Sequence, residues 1–389
     1  MEAPLQEHLT NSDNSFLLRR LTAEISSPYY DHWVVEYDYS SIDLDRFKDK
    51  SLPWFERYQE VLPFKELSSF KSLGEGNTPL VSSKIYPNCF FKEETRNPSG
   101  CFKDRESAAL IPYLIEKKLS HYALASSGNG ALSSSLYARL YGAKVTCFVP
   151  TSTSQSKKDL IRTFGGEIKE LGEHYEDCHR TLVDQTTEDS PINISAGVHP
   201  LRGQGDKVIA YELWDSMGVP DYILVPSANG CLISAIYQGF LELKILNLID
   251  RLPILIAVQI ENAAPLQKAL RQGKKDYSII ETVEDSLAEG LVAMESFNSP
   301  NALHALRQTN GFVHSVSESS LIDGMRYAIE IEGLFPEWTS ATVFSALRNL
   351  YDSKKIPLEA TTVVINSGSG HKEVANIANK ISVKSMPSA

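Results

Sequence analysis

Short apolar runs rich in β-branched residues recur along the chain: YALAS (122–126), KVTCFV (144–149), INIS (192–195), YILVP (222–226), ILIAVQI (254–260) and TTVVIN (361–366). Runs this short and rich in β-branched residues read as strands. A further apolar patch, Cys89-Phe90-Phe91, reads as the start of another strand. Helical patterns lie between them. ALSSSLYARLYG (131–142) ends with Gly142 as a predicted C-cap, SKKDLIRTFGG (156–166) ends at a glycine pair, and VIAYELWDSMG (208–218) ends at Gly218. Strand, helix and strand at this spacing predict right-handed βαβ units, hence an α/β fold with mostly parallel sheets flanked by helices. Pro112 falls inside the helix expected after residue 103. An interior proline costs about 3 kcal/mol, so a kink or a break is expected there.

The 389 residues suffice for two domains with ample core, and 49 acidic against 38 basic residues leave a formal net charge of −11. That balance, with no cluster of Lys and Arg, argues against a nucleic-acid partner, because phosphate backbones are bound by clustered cations. Five cysteines (Cys89, Cys101, Cys147, Cys178, Cys231) form no CxxC pair, so neither a disulfide framework nor a metal site is expected. The N-terminus lacks a basic n-region and an apolar h-region, and no apolar run reaches membrane-spanning length. A cytoplasmic protein without membrane contact is expected.

In open α/β sheets, ligands bind where strands end and loops enter helices. Four segments stand out there: NPSGCFKDRE (97–106), SSGNG (126–130), PSANGC (226–231) and NSGSG (366–370). In the first, Lys103 sits at a helix entry, where unpaired N–H groups and the dipole favour anions over cations. Two readings stay open: a solvated lysine paired with Asp104 or Glu106, or a nucleophile whose pKa is lowered by burial and positive surroundings. The third segment places several backbone N–H groups at a helix N-terminus, a ready anion site. It has no Walker lysine and no GxGxxG spacing, so a small phosphorylated cofactor fits better than a nucleoside triphosphate or a dinucleotide.

With these motifs the chain resembles the two-domain fold-type-II pyridoxal-phosphate enzymes, and within them the threonine synthase branch, over roughly Trp54 to Glu373. WFERYQEVLP (54–63) and GEGNTPL (74–80) are similar to that branch's N-terminal motifs. The resemblance implies that Lys103, beside Phe102, binds pyridoxal 5′-phosphate as a Schiff base and that Asn129 contacts the cofactor's 3′-oxygen. It implies a substrate-carboxylate site at Ser126, Ser127 and Gly128, and a cofactor-phosphate site at Ser227, Ala228, Asn229, Gly230 and Cys231. Ser367 would lie beside the pyridine nitrogen. A hydroxyl there only hydrogen-bonds the ring and leaves it neutral, which suits elimination and replacement more than transamination.

The chain also departs from that pattern. Cys101 stands where Ser usually precedes Phe-Lys, and Glu106 where Gly usually follows Asp-Arg; both read as tolerable changes. The branch's Asn-Pro-aromatic-Arg segment, which helps bind substrate phosphate, corresponds to His199-Pro200-Leu201-Arg202, so Arg202 keeps the cation and His199 replaces the amide. Ser369, His371 and Trp338 differ from the branch as well, and Trp338 implies a reshaped pocket. LTAEISSPYYDHWVVEYDY (21–39) is similar to a segment that carries paired cysteines in some relatives; it has none, so no structural metal is expected. The implied layout is an N-terminal extension (1–50) packing on a large cofactor-binding domain (51–110 and 205–389), with a small domain at 111–204. The implied reaction is elimination or replacement on a small O-phosphorylated amino acid by a homodimer, foremost O-phosphohomoserine and water to threonine and phosphate. Open alternatives are a β-replacement enzyme such as a cysteate synthase acting on O-phosphoserine, a specialised-metabolism relative, and a non-catalytic paralogue that binds the cofactor or an amino acid.

Overall fold

In the computed structural model of the chain, which describes residues 16–20, 33–126, 128–184 and 190–381, the apolar runs assemble into two main sheets. The larger has six strands in the order Phe312–Val316, Ile254–Ile260, Tyr222–Pro226, Thr362–Asn366, Cys89–Glu93 and Leu80–Ser82. All its pairs are parallel except the last, where Leu80–Ser82 runs antiparallel to Cys89–Glu93. The smaller sheet is all parallel: Glu167–Glu170, Lys144–Val149, His121–Ala125 and Ile192–Asn193. An antiparallel ribbon of Leu17–Arg20 with Trp33–Glu36 is tied to the rest of the chain by Gln238, whose Nε2 donates to the Val35 carbonyl at 2.9 Å.

Every apolar run predicted as a strand is one, and the reason it read as an apolar run is visible in the packing. Phe91, Leu224, Ile256, Val258 and Val364 face the helix Trp338–Asp352 and join Phe344, Leu347 and Leu350 in one buried cluster. Their alternate neighbours Ile223, Val225, Leu255, Ala257, Val363 and Ile365 fall in the other cluster, with Leu213 of the helix Val208–Met217 and Ile236 of Cys231–Ile245. A period of two is present, but both faces are apolar. The unpredicted Glu167–Glu170 is an edge strand with three of its four residues exposed, so it offers no apolar run. Gly142 (φ +71°) and Gly218 (φ +81°) follow the helices ending at Leu140 and Met217, as predicted. The break expected at Pro112 does not occur: the helix runs from Lys103 to Glu116. Residues 104–114 of that helix are all buried, so packing offsets the lost backbone hydrogen bond. Among the described residues no helix is long and apolar enough to cross a membrane.

A buried ion network fixes the start of that helix. Arg105 donates from Nε and Nη2 to the Glu94 carboxylate (2.7 and 2.8 Å) and from Nη1 and Nη2 to Glu212 (2.7 and 2.8 Å). Lys92 Nζ adds a bond to Glu212 Oε2 and one to the Thr78 carbonyl, both 2.6 Å. The loop at 74–80 hangs on the same carboxylates, through Asn77 N to Glu212 (2.7 Å) and Thr78 Oγ1 to Glu94 (2.6 Å). Two cations meet two carboxylates, so the buried charge balances. Removing one partner would leave carboxylates uncompensated away from water, which typically costs about 3–5 kcal/mol. Arg105→Ala should therefore lower the unfolding free energy by about that amount in urea titrations, whereas a surface change such as Arg162→Ala should shift it by less than about 1 kcal/mol.

Candidate active site

The loops at the carboxyl ends of strands from both sheets converge on one cavity of about 760 Å³. The smaller sheet supplies Ser126, Gly128 and Asn129, which follow His121–Ala125. The larger supplies Ser227 through Cys231 after Tyr222–Pro226, Ser367 after Thr362–Asn366, and Phe102 with Lys103 beyond Cys89–Glu93. Arg202, on the turn Pro200–Gln204, lines the cavity too. Two predicted residues stand apart from this group. Ser127 lies outside the described residues, and His199 is not part of this wall. His199 is buried and lines a second cavity of about 220 Å³, and its Nδ1 accepts from Leu201 N at 3.3 Å, capping the turn that carries Arg202.

Lys103 is the first residue of its helix, and its Nζ lies 4.4 Å from the centroid of the Phe102 ring. That Nζ donates to Glu106 Oε1 at 2.5 Å. The other Glu106 oxygen accepts from Arg202 Nε, while Arg202 Nη1 donates to the Ile194 carbonyl at 2.5 Å. Of the two readings, the pairing with Glu106 is present, and the lysine pKa is raised and not lowered. Burial is the largest single influence and pushes it down, but the Glu106 charge, with smaller contributions from Asp206 and Cys231, together outweighs burial and the opposing Arg202. Glu106 itself is disfavoured as an anion by burial, yet the Lys103 and Arg202 charges hold its carboxyl below the usual range.

The 227–231 segment is shaped for an anion. Gly230 has φ +80°, and a Cβ on it would lie 2.5 Å from that of Ala302, so only glycine fits. Ser296 Oγ donates to the Ala228 carbonyl, Asn298 N to the Asn229 carbonyl at 3.0 Å, and Asn229 Nδ2 to Tyr175 Oη at 3.3 Å. These bonds fix the loop, and Gly230, Cys231 and Leu232 line the cavity, so the N-terminus of the helix Cys231–Ile245, with its unpaired N–H groups, lies at the cavity wall. The Cys231 thiol, pushed up to about 12 by burial, is neutral.

Ser367 Oγ shares a 2.8 Å hydrogen bond with Ser340 Oγ, and Phe102 N donates to the Ser367 carbonyl at 3.0 Å. The loop NSGSG has no carboxylate of its own, but Glu337 brings one from another segment. Asn129 Nδ2 donates to both Glu337 oxygens (2.8 and 3.0 Å), and a Cβ on Gly368 would sit 2.3 Å from Glu337 Oε1. Trp338, expected to reshape the pocket, is instead in the core with its Nε1 on Asn376 Oδ1 at 3.1 Å; its neighbours Glu337 and Thr339 reach the cavity. Lys157 also lines the cavity, paired with Glu289 at 2.7 Å and Glu373 at 2.8 Å. Sequence reading passed over Glu337, Ser340 and Lys157. Glu337 stands just ahead of the helix Trp338–Asp352, a helix the sequence reading did not draw.

The donors in this cavity fit pyridoxal 5′-phosphate: an amine on one wall, helix N-terminal N–H groups on another, and a fixed hydroxyl and amide between them. Residues 71–368 match the family described as pyridoxal-phosphate dependent enzyme. The chain belongs to that family, and it is a lyase with pyridoxal phosphate as cofactor. Among curated proteins it is similar to the threonine synthase of Methanocaldococcus jannaschii, 30% identical over 87% of this chain and 86% of that protein. It is also similar to the threonine synthase of Methanosarcina acetivorans, 30% identical over 86% and 84%. Its fold is that of a fungal L-serine ammonia-lyase from Rhizomucor miehei, with a TM-score of 0.68 at 21% identity over 78% of this chain and 96% of that one.

Borohydride reduction followed by peptide mapping should place the pyridoxyl group on Lys103, and Lys103→Ala should abolish the visible absorbance of the lysine-bound cofactor. Gly368→Ala forces Glu337 away from Asn129. Overpacking of this kind costs about 1–3 kcal/mol, so cofactor affinity should fall about tenfold or more in an absorbance titration.

Proposed function

We propose that the chain catalyses a threonine synthase-type reaction, in which an O-phosphorylated amino acid loses phosphate and water adds, with O-phosphohomoserine as the foremost substrate. The reading is carried by the placing of Lys103 and Arg202 on one cavity wall, joined through Glu106, in a chain whose relatives over most of its length are threonine synthases. When bound, the cofactor supplies an electron sink for charge developing on the substrate's carbons. Lys103 holds the cofactor covalently and, when free, moves protons at Cα and the neighbouring carbon from its Nζ. The backbone N–H groups of Ser227 to Cys231 hold the cofactor phosphate, and Asn129 with Ser367 orients the ring. Ser126, Ser127 and Gly128 receive the substrate carboxylate. Arg202 binds the leaving phosphate by charge-assisted hydrogen bonds, and His199 acts behind it by capping its turn. The same reading places the enzyme in the cytoplasm as a homodimer acting on a small amino acid.

Phosphate release from O-phosphohomoserine, O-phosphoserine with sulfite, and their unphosphorylated counterparts tests it directly. Turnover of the phosphorylated γ-substrate to threonine is expected; preference for the unphosphorylated amino acids would overturn the reading. Losing one charged hydrogen-bond partner costs about 1.5–3 kcal/mol, so Arg202→Ala should lower kcat/KM on O-phosphohomoserine by roughly ten- to more than a hundredfold. Arg202→Lys, which keeps the charge next to Glu106, should recover part of that loss.

A further inference from the structure

Glu106 is where the chain leaves the family pattern inside its own lysine motif, and the structure puts this carboxylate in the middle of the site's charges. It is 0% exposed, with Lys103 Nζ on one oxygen and Arg202 Nε on the other. The remaining titratable groups that face the trio are Asp206 and Cys231, with Arg105 behind Asp206 and with Tyr175 and Cys147, both pushed up by burial, near Arg202. Arg105 is committed to Glu94 and Glu212, and the Cys231 thiol is neutral. As an acceptor, neither oxygen of the buried Asp206 meets an N–H or O–H donor among the described residues, and its carboxyl group lies against that of Glu106. Burial, and after it the Glu106 charge, push the Asp206 carboxyl well above the usual range, and a hydrogen bond between the two carboxyl groups adds to that rise. One carboxylate thus serves two cations.

We propose that Glu106 is a positioning residue shared by Lys103 and Arg202, fixing the charge of the free lysine and limiting how strongly Arg202 holds an anion. The anion half rests on the reading of Arg202 as the site of the leaving phosphate. A glycine at this position would leave Lys103 with only burial and a nearby guanidinium, both of which disfavour an ammonium. With Glu106 present, the ammonium form of a free Lys103 is favoured, so the amine holds more firmly a proton it has taken up and can later return. An anion arriving at Arg202 competes with a carboxylate already in contact and raises that carboxylate's proton affinity. Its binding therefore takes up a proton and weakens as pH rises.

Two measurements on the full chain test this. The first is the pH dependence of borohydride trapping of pyridoxal phosphate on Lys103 in cofactor-free protein, followed by mass. A neighbouring opposite charge shifts a pKa by about 1–3 units, so Glu106→Gln should be trapped at pH 8 about tenfold faster or more, while Glu106→Asp follows the wild type. The second is calorimetric titration of the cofactor-loaded protein with sulfate, a dianion with no proton of its own near neutral pH. Glu106→Gln should bind sulfate about tenfold more tightly and Arg202→Ala more weakly than the wild type. Wild-type binding should take up protons, read as a heat that varies with the buffer's ionisation enthalpy. A folded Glu106→Gln protein with the wild-type trapping profile overturns the proposal and leaves the reading of Arg202 intact. Sulfate binding that ignores Arg202 in every variant, beside a shifted trapping profile, overturns that reading and the anion half with it. If Glu106→Gln does not fold, wild-type sulfate binding without proton uptake overturns the proposal.

Discussion

The placing of Lys103 depends on the guanidinium two residues after it. Arg105 is gripped by Glu94 from the strand side and Glu212 from the helix Val208–Met217, so the first turn of the lysine helix is held from two directions. A buried network of this kind is weak evidence for stability, since desolvation offsets much of the attraction. Its contribution is positional. The Arg105 carbonyl also meets the 200–207 segment so closely that a Cβ on Gly205 would lie 1.8 Å from its oxygen. Only glycine permits that approach, and the approach is what carries Arg202 and Asp206 up to Glu106.

The fold was legible because the larger sheet is covered on both sides. Tyr222–Pro226, Ile254–Ile260 and Thr362–Asn366 are buried nearly throughout, so burial alone writes them as apolar runs. Leu80–Ser82 and Phe312–Val316 lie at the sheet's two edges and are only partly buried, and they left no comparable run. Pro112 shows the other limit of local reading. A propensity measured in an exposed helix loses to a helix whose neighbours at 104–114 are all buried.

The candidate site was legible wherever it is contiguous in sequence. The segments at 126–130, 226–231 and 366–370 each follow a strand directly, so a strand end and a turn were enough to find them. Partners supplied across the fold were not legible. Glu337 reaches Asn129 over 208 residues, and Arg202 reaches Glu106 over 96. Neither pairing has a local signature, and Glu106 alone, read within its motif, looked like a tolerable change. Its meaning comes from what the fold sets against it.

These pairings share a pattern. Lys103 and Arg202 divide Glu106, Lys157 lies between Glu289 and Glu373, and Lys372 lies 3.4 Å from Glu337. Every one of these cations near the cavity already has a carboxylate. An anion entering the cavity therefore gains little from a side-chain charge unless it displaces that carboxylate or the carboxylate takes a proton. The helix Cys231–Ile245 is different, because its first N–H groups have no intrahelical acceptor. A resident phosphate held there needs no displacement and is bound by fixed dipoles, which suits a cofactor that stays. On the proposed reading, a phosphate that leaves with each turnover is better served by a cation whose grip a neighbouring carboxylate weakens, as Glu106 would weaken that of Arg202.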